Sequence, residues 1–265
     1  MKELHTLSIA QVMNALLLNV VLLAASSTGP DLPSTLGHLN GRPLWVAADV
    51  AIDASGRPNA AVLGEYVARR SSESASRNAR AVAREKGTRA KLSQNSEAVA
   101  VDECLAFSLF RADHFKPTST LAELVASSEA IVAGTVVAQR QGVLYDQPGT
   151  LLQLDAQYLK GSGPAKAYMF YPYADIKTAD GVLCSRPGNY DRVPPAVGDR
   201  FVAFSIGRPY NADGAPIFAP DPRRELVRET ADGKLTLPVA LSSSSESVTF
   251  NGISERVRLS LHSDK

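Results

Sequence analysis

Between residues 118 and 207 the chain alternates runs of β-branched and aromatic residues with turn-forming residues, and any fold must pair those runs into a sheet. The first run, residues 129–139, holds Ile131, Val132, Thr135, Val136 and Val137. Strands are then expected over 151–159, 167–172 and 197–205. The joints carry turn residues: Gln147-Pro-Gly149, Lys160-Gly-Ser-Gly-Pro164 and Pro194-Pro195. Just ahead, Thr120-Leu-Ala-Glu123 has the spacing of a capping box, which starts a short helix at Thr120. A helix leading into successive antiparallel strands predicts a small barrel or sandwich.

The chain has 265 residues, 45% of them hydrophobic, and a formal charge of +1, enough for one or two domains with a sizeable core. Charge is unevenly placed. Residues 69–91 hold eight basic residues against two acidic, a net of +6. Residues 101–265 hold 17 basic against 19 acidic, a net of −2, which argues against the basic face that nucleic-acid binding uses.

Residues 15–25 form an apolar run of eleven, short of the roughly 20 that span a bilayer. Small residues follow, and Ala24 and Ser26 fit a small-x-small cleavage pattern. Residues 1–27 therefore read as a secretory signal peptide, with a weak basic flank because Glu3 opposes Lys2. The alternative is a buried or membrane-anchoring helix. Export makes an oxidising compartment, secreted or periplasmic. There the two cysteines, Cys104 and Cys184, invite one disulfide closing a loop of about 80 residues, on the order of 4 kcal/mol in the chain-entropy model. Two buried free thiols are the alternative.

Residues 28–95 are expected as a small lobe or linker. Residues 28–43 read as an extended leader, 44–52 as a strand, 53–58 as turn chemistry and 60–67 as a returning strand. Residues 69–91 read as a basic helix with Arg77, Arg80 and Arg84 on one face. That face suits a solvated connector or a weak arm for an anionic surface. The main domain is expected over 96–265, beginning with a strand near 96–110. It closes with an Asp232-Gly233 hairpin, a short strand at 248–250 and a terminal helix over 253–262.

The order of helix, aliphatic strand, a long strand ending Leu159-Lys-Gly161, then Val197-Gly-Asp-Arg-Phe-Val202 resembles the OB-like barrel of tissue inhibitors of metalloproteinases and netrin modules, found in many exported bacterial domains. Cys104 ahead of the helix is also similar. The resemblance implies a mainly β (β-rich α+β) chain, with an antiparallel barrel entered through a short helix. The inhibitor mechanism does not follow. It needs a Cys at the mature amino terminus, and Cys104 lies well inside the chain.

No phosphate loop, His-Glu-x-x-His or Gly-x-Ser-x-Gly sequence is present, and His5, His38, His114 and His262 are far apart in sequence. No cofactor or metal is implied. Residues 168–173 are the densest aromatic run. On a strand Tyr168 and Phe170 face one way, while Tyr171 and Tyr173 face the other, as core or as a ligand platform. The expected function is a non-enzymatic binding or structural module of the cell envelope or exterior, with a protein or saccharide partner. The competing reading is a hydrolase assembled from distant residues. Membrane contact would come only through an uncleaved signal or the basic helix.

Overall fold

One long hairpin sets the frame. The computed structural model describes residues 32–65, 68–69, 120–145, 147–179, 181–185, 193–206, 209–212, 215–222, 224–238, 241 and 249–263. In it, β3 (Ala130–Leu144) and β4 (Gln147–Lys160) pair antiparallel from Ile131↔Lys160 to Leu144↔Gln147. The chain turns back just after Leu144, with Tyr145 at φ 59°. The expected joint at Gln147-Pro-Gly149 is thus a strand, because the reversal is made two residues earlier by a left-handed backbone.

On the near half of β3, β8 (Arg200–Ser205) pairs antiparallel, and β11 (Leu226–Glu229) and β12 (Leu235–Thr236) follow outward. The far half of β3 pairs instead with β2 (Arg42–Ala47), which forms a hairpin with β1 (Thr35–Leu39). Beyond β4 come β5 (Lys166–Tyr171), then β10 (Ala215–Phe218) in parallel, then β9 (Tyr210–Ala212). These ten strands make one open sheet, with β12 and β9 at its ends, and β6 (Ala174–Thr178) and β7 (Gly181–Ser185) make a separate hairpin. The chain is strand-rich, as expected, but the sheet is not closed into a barrel. Among the described residues its end strands pair only inward, β12 with β11 and β9 with β10.

A bulge in β3 decides which side chains meet. The register slips between Val136 and Ala138, leaving Val137 as the extra residue. Before it, the even residues Val132 and Val136 pack with Leu152, Leu154, Met169, Tyr171 and Phe201. After it, Ala138 and Leu144 turn to the opposite face and join Trp45, Leu151 and Phe170. The near half of that opposite face carries Ile131, Ala133, Val202, Phe204 and Val227. It is covered by α3 (Leu121–Ser127) and α4 (Phe250–Ser263), which bring Leu124, Val125, Ile253 and Val257.

Helix α3 begins where the sequence places it. Thr120 Oγ1 accepts from Glu123 N, and Thr120 N donates to Glu123. Its far end is satisfied by Lys160, whose Nζ donates to Val125 O at 2.9 Å and Ala126 O at 3.4 Å. The Leu-Lys-Gly ending of β4 therefore has a physical role: the lysine sits against the carbonyl end of the helix.

The amino-terminal expectations need correction. Residues 35–39 form a strand, not a leader, because Asn40 (φ 54°) and Gly41 (φ 78°) make the tight hairpin reversal that Asn-Gly favours. The strand expected over 44–52 stops at Ala47 and gives way to a single helical turn, α1 (Ala48–Ala51). Residues 60–63 form another turn, α2 (Ala60–Leu63), not a strand: Asn59 caps it by accepting from Ala61 N while its amide donates to Val50 O. The 53–58 turn is as expected, with Asp53 Oδ1 accepting from Ser55 and Arg57. Phe250 opens α4 and is not a strand residue. The 232–233 hairpin is as expected: Thr230 N donates to Lys234 O, and Gly233 sits at φ 85°. The strand expected near 96–110 and the basic helix over 69–91 lie outside the described residues.

Two paired glycines hold the far half together. Gly142 and Gly149 are cross-strand partners. A Cβ on Gly142 would stand 2.2 Å from Val46 O and 2.6 Å from the Trp45 ring; one on Gly149 would stand 2.3 Å from the Phe170 ring. The two rings lie edge to face at 6.3 Å. The missing side chains are thus the space that these aromatics fill. Gly142→Ala and Gly149→Ala are each expected to lower unfolding free energy by about 1–3 kcal/mol through overpacking. Chemical denaturation checks this.

Candidate functional site

On the helix-covered face, the sheet changes character along its strands. The rung Val227–Val202–Ala133–Gln157 begins apolar, and Val202 and Ala133 lie under the helices. One rung further, Glu229, Arg200, Thr135, Asp155 and Lys166 stand side by side on β11, β8, β3, β4 and β5. This polar row alternates acid, base, hydroxyl, acid, base. It emerges beside the first turns of α4, and a cleft of about 360 Å³ remains between them. Its wall includes Thr135, Asp155, Gln157 and Arg200 from the sheet, and Asn251, Ser254, Glu255 and Arg258 from the helix.

The cleft's cations are already held. Arg200 Nη1 donates to Glu229 Oε2 at 2.7 Å and Nη2 to Asn251 Oδ1 at 2.6 Å, and its guanidinium carbon lies 4.1 Å from the centre of the Phe250 ring. Arg258 donates to Gln157 Oε1 at 3.1 Å and lies 3.7 Å from Glu255. Asp155 is exposed, with Lys166 opposite it in register. The wall offers fixed donors, carboxylate acceptors, carboxamides and hydroxyls, so it suits a polar guest.

Arg200 is placed by its neighbour in sequence. Asp199 and Arg228 are each only 1% exposed. Arg228 Nε and Nη2 donate to Asp199 Oδ2 at 3.0 and 2.6 Å, Nη2 also to Pro194 O and Nη1 to Val193 O, both at 2.7 Å. Asp199 further accepts from Ala196 N and Ala231 N. Gly198, at φ 93°, makes the bend that brings Asp199 inward. With Asp199 buried, Arg200 on the strand that follows opens to the cleft. The Val-Gly-Asp-Arg-Phe run is therefore a register lock followed by a site residue.

The aromatic run falls elsewhere. Phe170, Tyr171 and Tyr173 are buried and Tyr168 is half-buried. They alternate as expected, Tyr168 and Phe170 toward the Trp45 cluster, Tyr171 and Tyr173 toward the Val132 cluster. They are core residues, not an exposed ligand platform, because strands or loops cover both faces of β5. Arg77, Arg80 and Arg84 lie outside the described residues, as does Cys104. Cys184 is on β7, opposite Asp175 of β6. His262, on α4, does not line the cleft, and His114 lies outside the described residues. Among the described residues no group of three or more His, Cys, Asp or Glu is placed to hold a metal ion, and no helix is long and apolar enough to cross a membrane. The most displaced carboxyl among them is Glu225, pushed up to about 7 by burial, and it is not part of the cleft.

Sequence reasoning did not find the cleft. Its residues come from β3, β4, β8 and α4, with no shared motif. No protein-family model, curated protein or solved structure matches the chain.

Asp199→Asn should leave the Arg228 charge buried without its counter-ion, costing about 3–5 kcal/mol of stability. Replacing both residues together with apolar ones of similar size should cost less than Asp199→Asn alone. Denaturant unfolding of the variants measures both.

Proposed function

We propose that this chain is an exported, non-enzymatic binding module that holds a small polar ligand in the cleft beneath α4. The observation that carries this reading is the polar row running into that cleft: Arg200, Thr135 and Asp155 are fixed by strand pairing and faced by Asn251 and Ser254. Groups on rigid strands, with Arg200 also held by Glu229 and Asn251, are arranged for recognition before any ligand arrives. A lining without histidine, cysteine or lysine favours binding over the hydrolase reading.

The likeness to inhibitor and netrin modules belongs to the same proposal. It is supported by three segments of the resemblance lying together: the capped helix α3, β4 with Lys160 against that helix, and β8 led by Asp199. Barrel closure forms no part of it. Export rests on the apolar run at 15–25 and its small-residue exit, and the Cys104–Cys184 bridge rests on export. The module then works in the envelope or outside the cell.

Amide NMR of the full chain titrated with neutral disaccharides, uronic acids, phosphosugars and dipeptides tests the cleft. At least one class should move the resonances of residues 155, 157, 251 and 254, and Ser254→Trp, which fills the space, should abolish the shifts with the thermal midpoint retained. Shifts confined to other residues would refute the site, and turnover of any compound would refute the non-enzymatic half.

For export, the protein recovered from cell fractions should begin near residue 26 and show no reactive thiol when denatured without reductant. An intact amino terminus in the cytosol, or two reactive thiols, would overturn export and bridge respectively.

A further inference from the structure

The geometry points to an uncharged sugar unit as the guest of the cleft beneath α4, an inference that rests on reading that cleft as the binding site. The charges decide first. Arg200 and Arg258 are matched on the same wall by Asp155 and Glu255, and Glu229 takes a further bond from Arg200. An anionic guest would lie beside the carboxylates Asp155 and Glu255, with Glu229 already bonded to Arg200. A cationic guest would meet two guanidinium groups. A neutral guest meets neither obstacle.

The remaining chemistry selects hydroxyl groups. A sugar hydroxyl donates one hydrogen bond and accepts others, so a ring with adjacent hydroxyls needs acceptors and donors side by side. The cleft offers that mixture: Asp155 and Glu255 accept, Arg200 and Arg258 donate, and Gln157, Asn251, Thr135 and Ser254 do both. Planar groups dominate, and some are bonded to one another. Arg200 is clamped by Glu229 and Asn251, and Arg258 is bonded to Gln157. Arg200 then loses little side-chain freedom on binding. The size agrees, since about 360 Å³ lies at the small end of ligand pockets and holds a ring or two, not a long chain.

A saccharide partner agrees with the expectation from the sequence, but the mode of recognition differs from an aromatic platform. Phe250 is buried, with Arg200 above it. The cleft therefore reads hydroxyl groups by hydrogen bonds and lacks the open aromatic face on which sugar rings stack.

The test uses the full chain with maltose, cellobiose, lactose and diacetylchitobiose as neutral probes, digalacturonic acid and glucose 6-phosphate as acidic ones, and glycylglycine as a peptide. Amide NMR and calorimetry should show at least one neutral disaccharide binding at residues 155 and 251–258. Asp155→Ala, an exposed change, should weaken it about tenfold while the thermal midpoint holds. Tighter binding of an acidic probe or of glycylglycine in the cleft would overturn the sugar inference and leave the binding module standing. Neutral binding that Asp155→Ala and Asn251→Ala leave unchanged would also overturn it. No response to any probe would overturn both.

Discussion

A buried charge pair holds the sheet in register. Removing a carboxylate and a guanidinium from water costs several kcal/mol each, and that cost is recovered only when nearly every polar atom finds a partner. Asp199 and Arg228 meet this condition: the arginine donates to the carboxylate and to the carbonyls of Val193 and Pro194, while the carboxylate also accepts from Ala196 and Ala231. The rings of Tyr171 and Phe201 lie 5.7 and 5.8 Å from the guanidinium carbon. An apolar pair could match the stability. What the ions add is direction, because a one-residue slip of β8 against β11 would bury Arg200 or Glu229 in place of this pair.

From that lock the functional face follows geometrically. Arg200 and Glu229 are cross-strand partners facing outward, and on the other face Asp199 reaches diagonally to Arg228, which lies opposite Phe201. Thr135 and Asp155 complete the row because β3 lies between β8 and β4. The helix that overhangs them is positioned by its own apolar stripe, Phe250, Ile253 and Val257, packed beside Leu124 and Val125 of α3. The cleft is therefore the place where a well-packed interface runs out of apolar residues.

The far half of the sheet obeys a different constraint. The β3 bulge turns Ala138 and Leu144 toward Trp45, and the Gly142–Gly149 pair leaves room for Trp45 and Phe170 to meet. This is why β1 and β2 belong to the main sheet and not to a separate lobe: Trp45 has its slot there, opposite Leu144. Gly149 reads as a turn residue in sequence, yet both glycines serve packing at these positions.

Sequence alone determined the local events. The start of α3 was legible in Thr120 and Glu123, the 232–233 reversal in its Asp-Gly, and most of the strands in their β-branched runs, because each depends on residues a few positions apart. The Asn40-Gly41 reversal is equally local, but Pro30, Pro33 and Pro43 around it give the segment the pattern of an extended leader. Residues 60–63 read as part of a strand in sequence because Ala, Ala, Val and Leu carry no period, and the Asn59 cap makes them a helical turn. Tertiary structure alone decided whether the sheet closes, which face each β3 residue takes and what the site is. Closure depends on how many strand pairs form at the ends, and face depends on one extra residue, Val137. The site depends on residues 135, 155, 200 and 251 meeting across four elements, and no spacing in the chain records a meeting made by strand order.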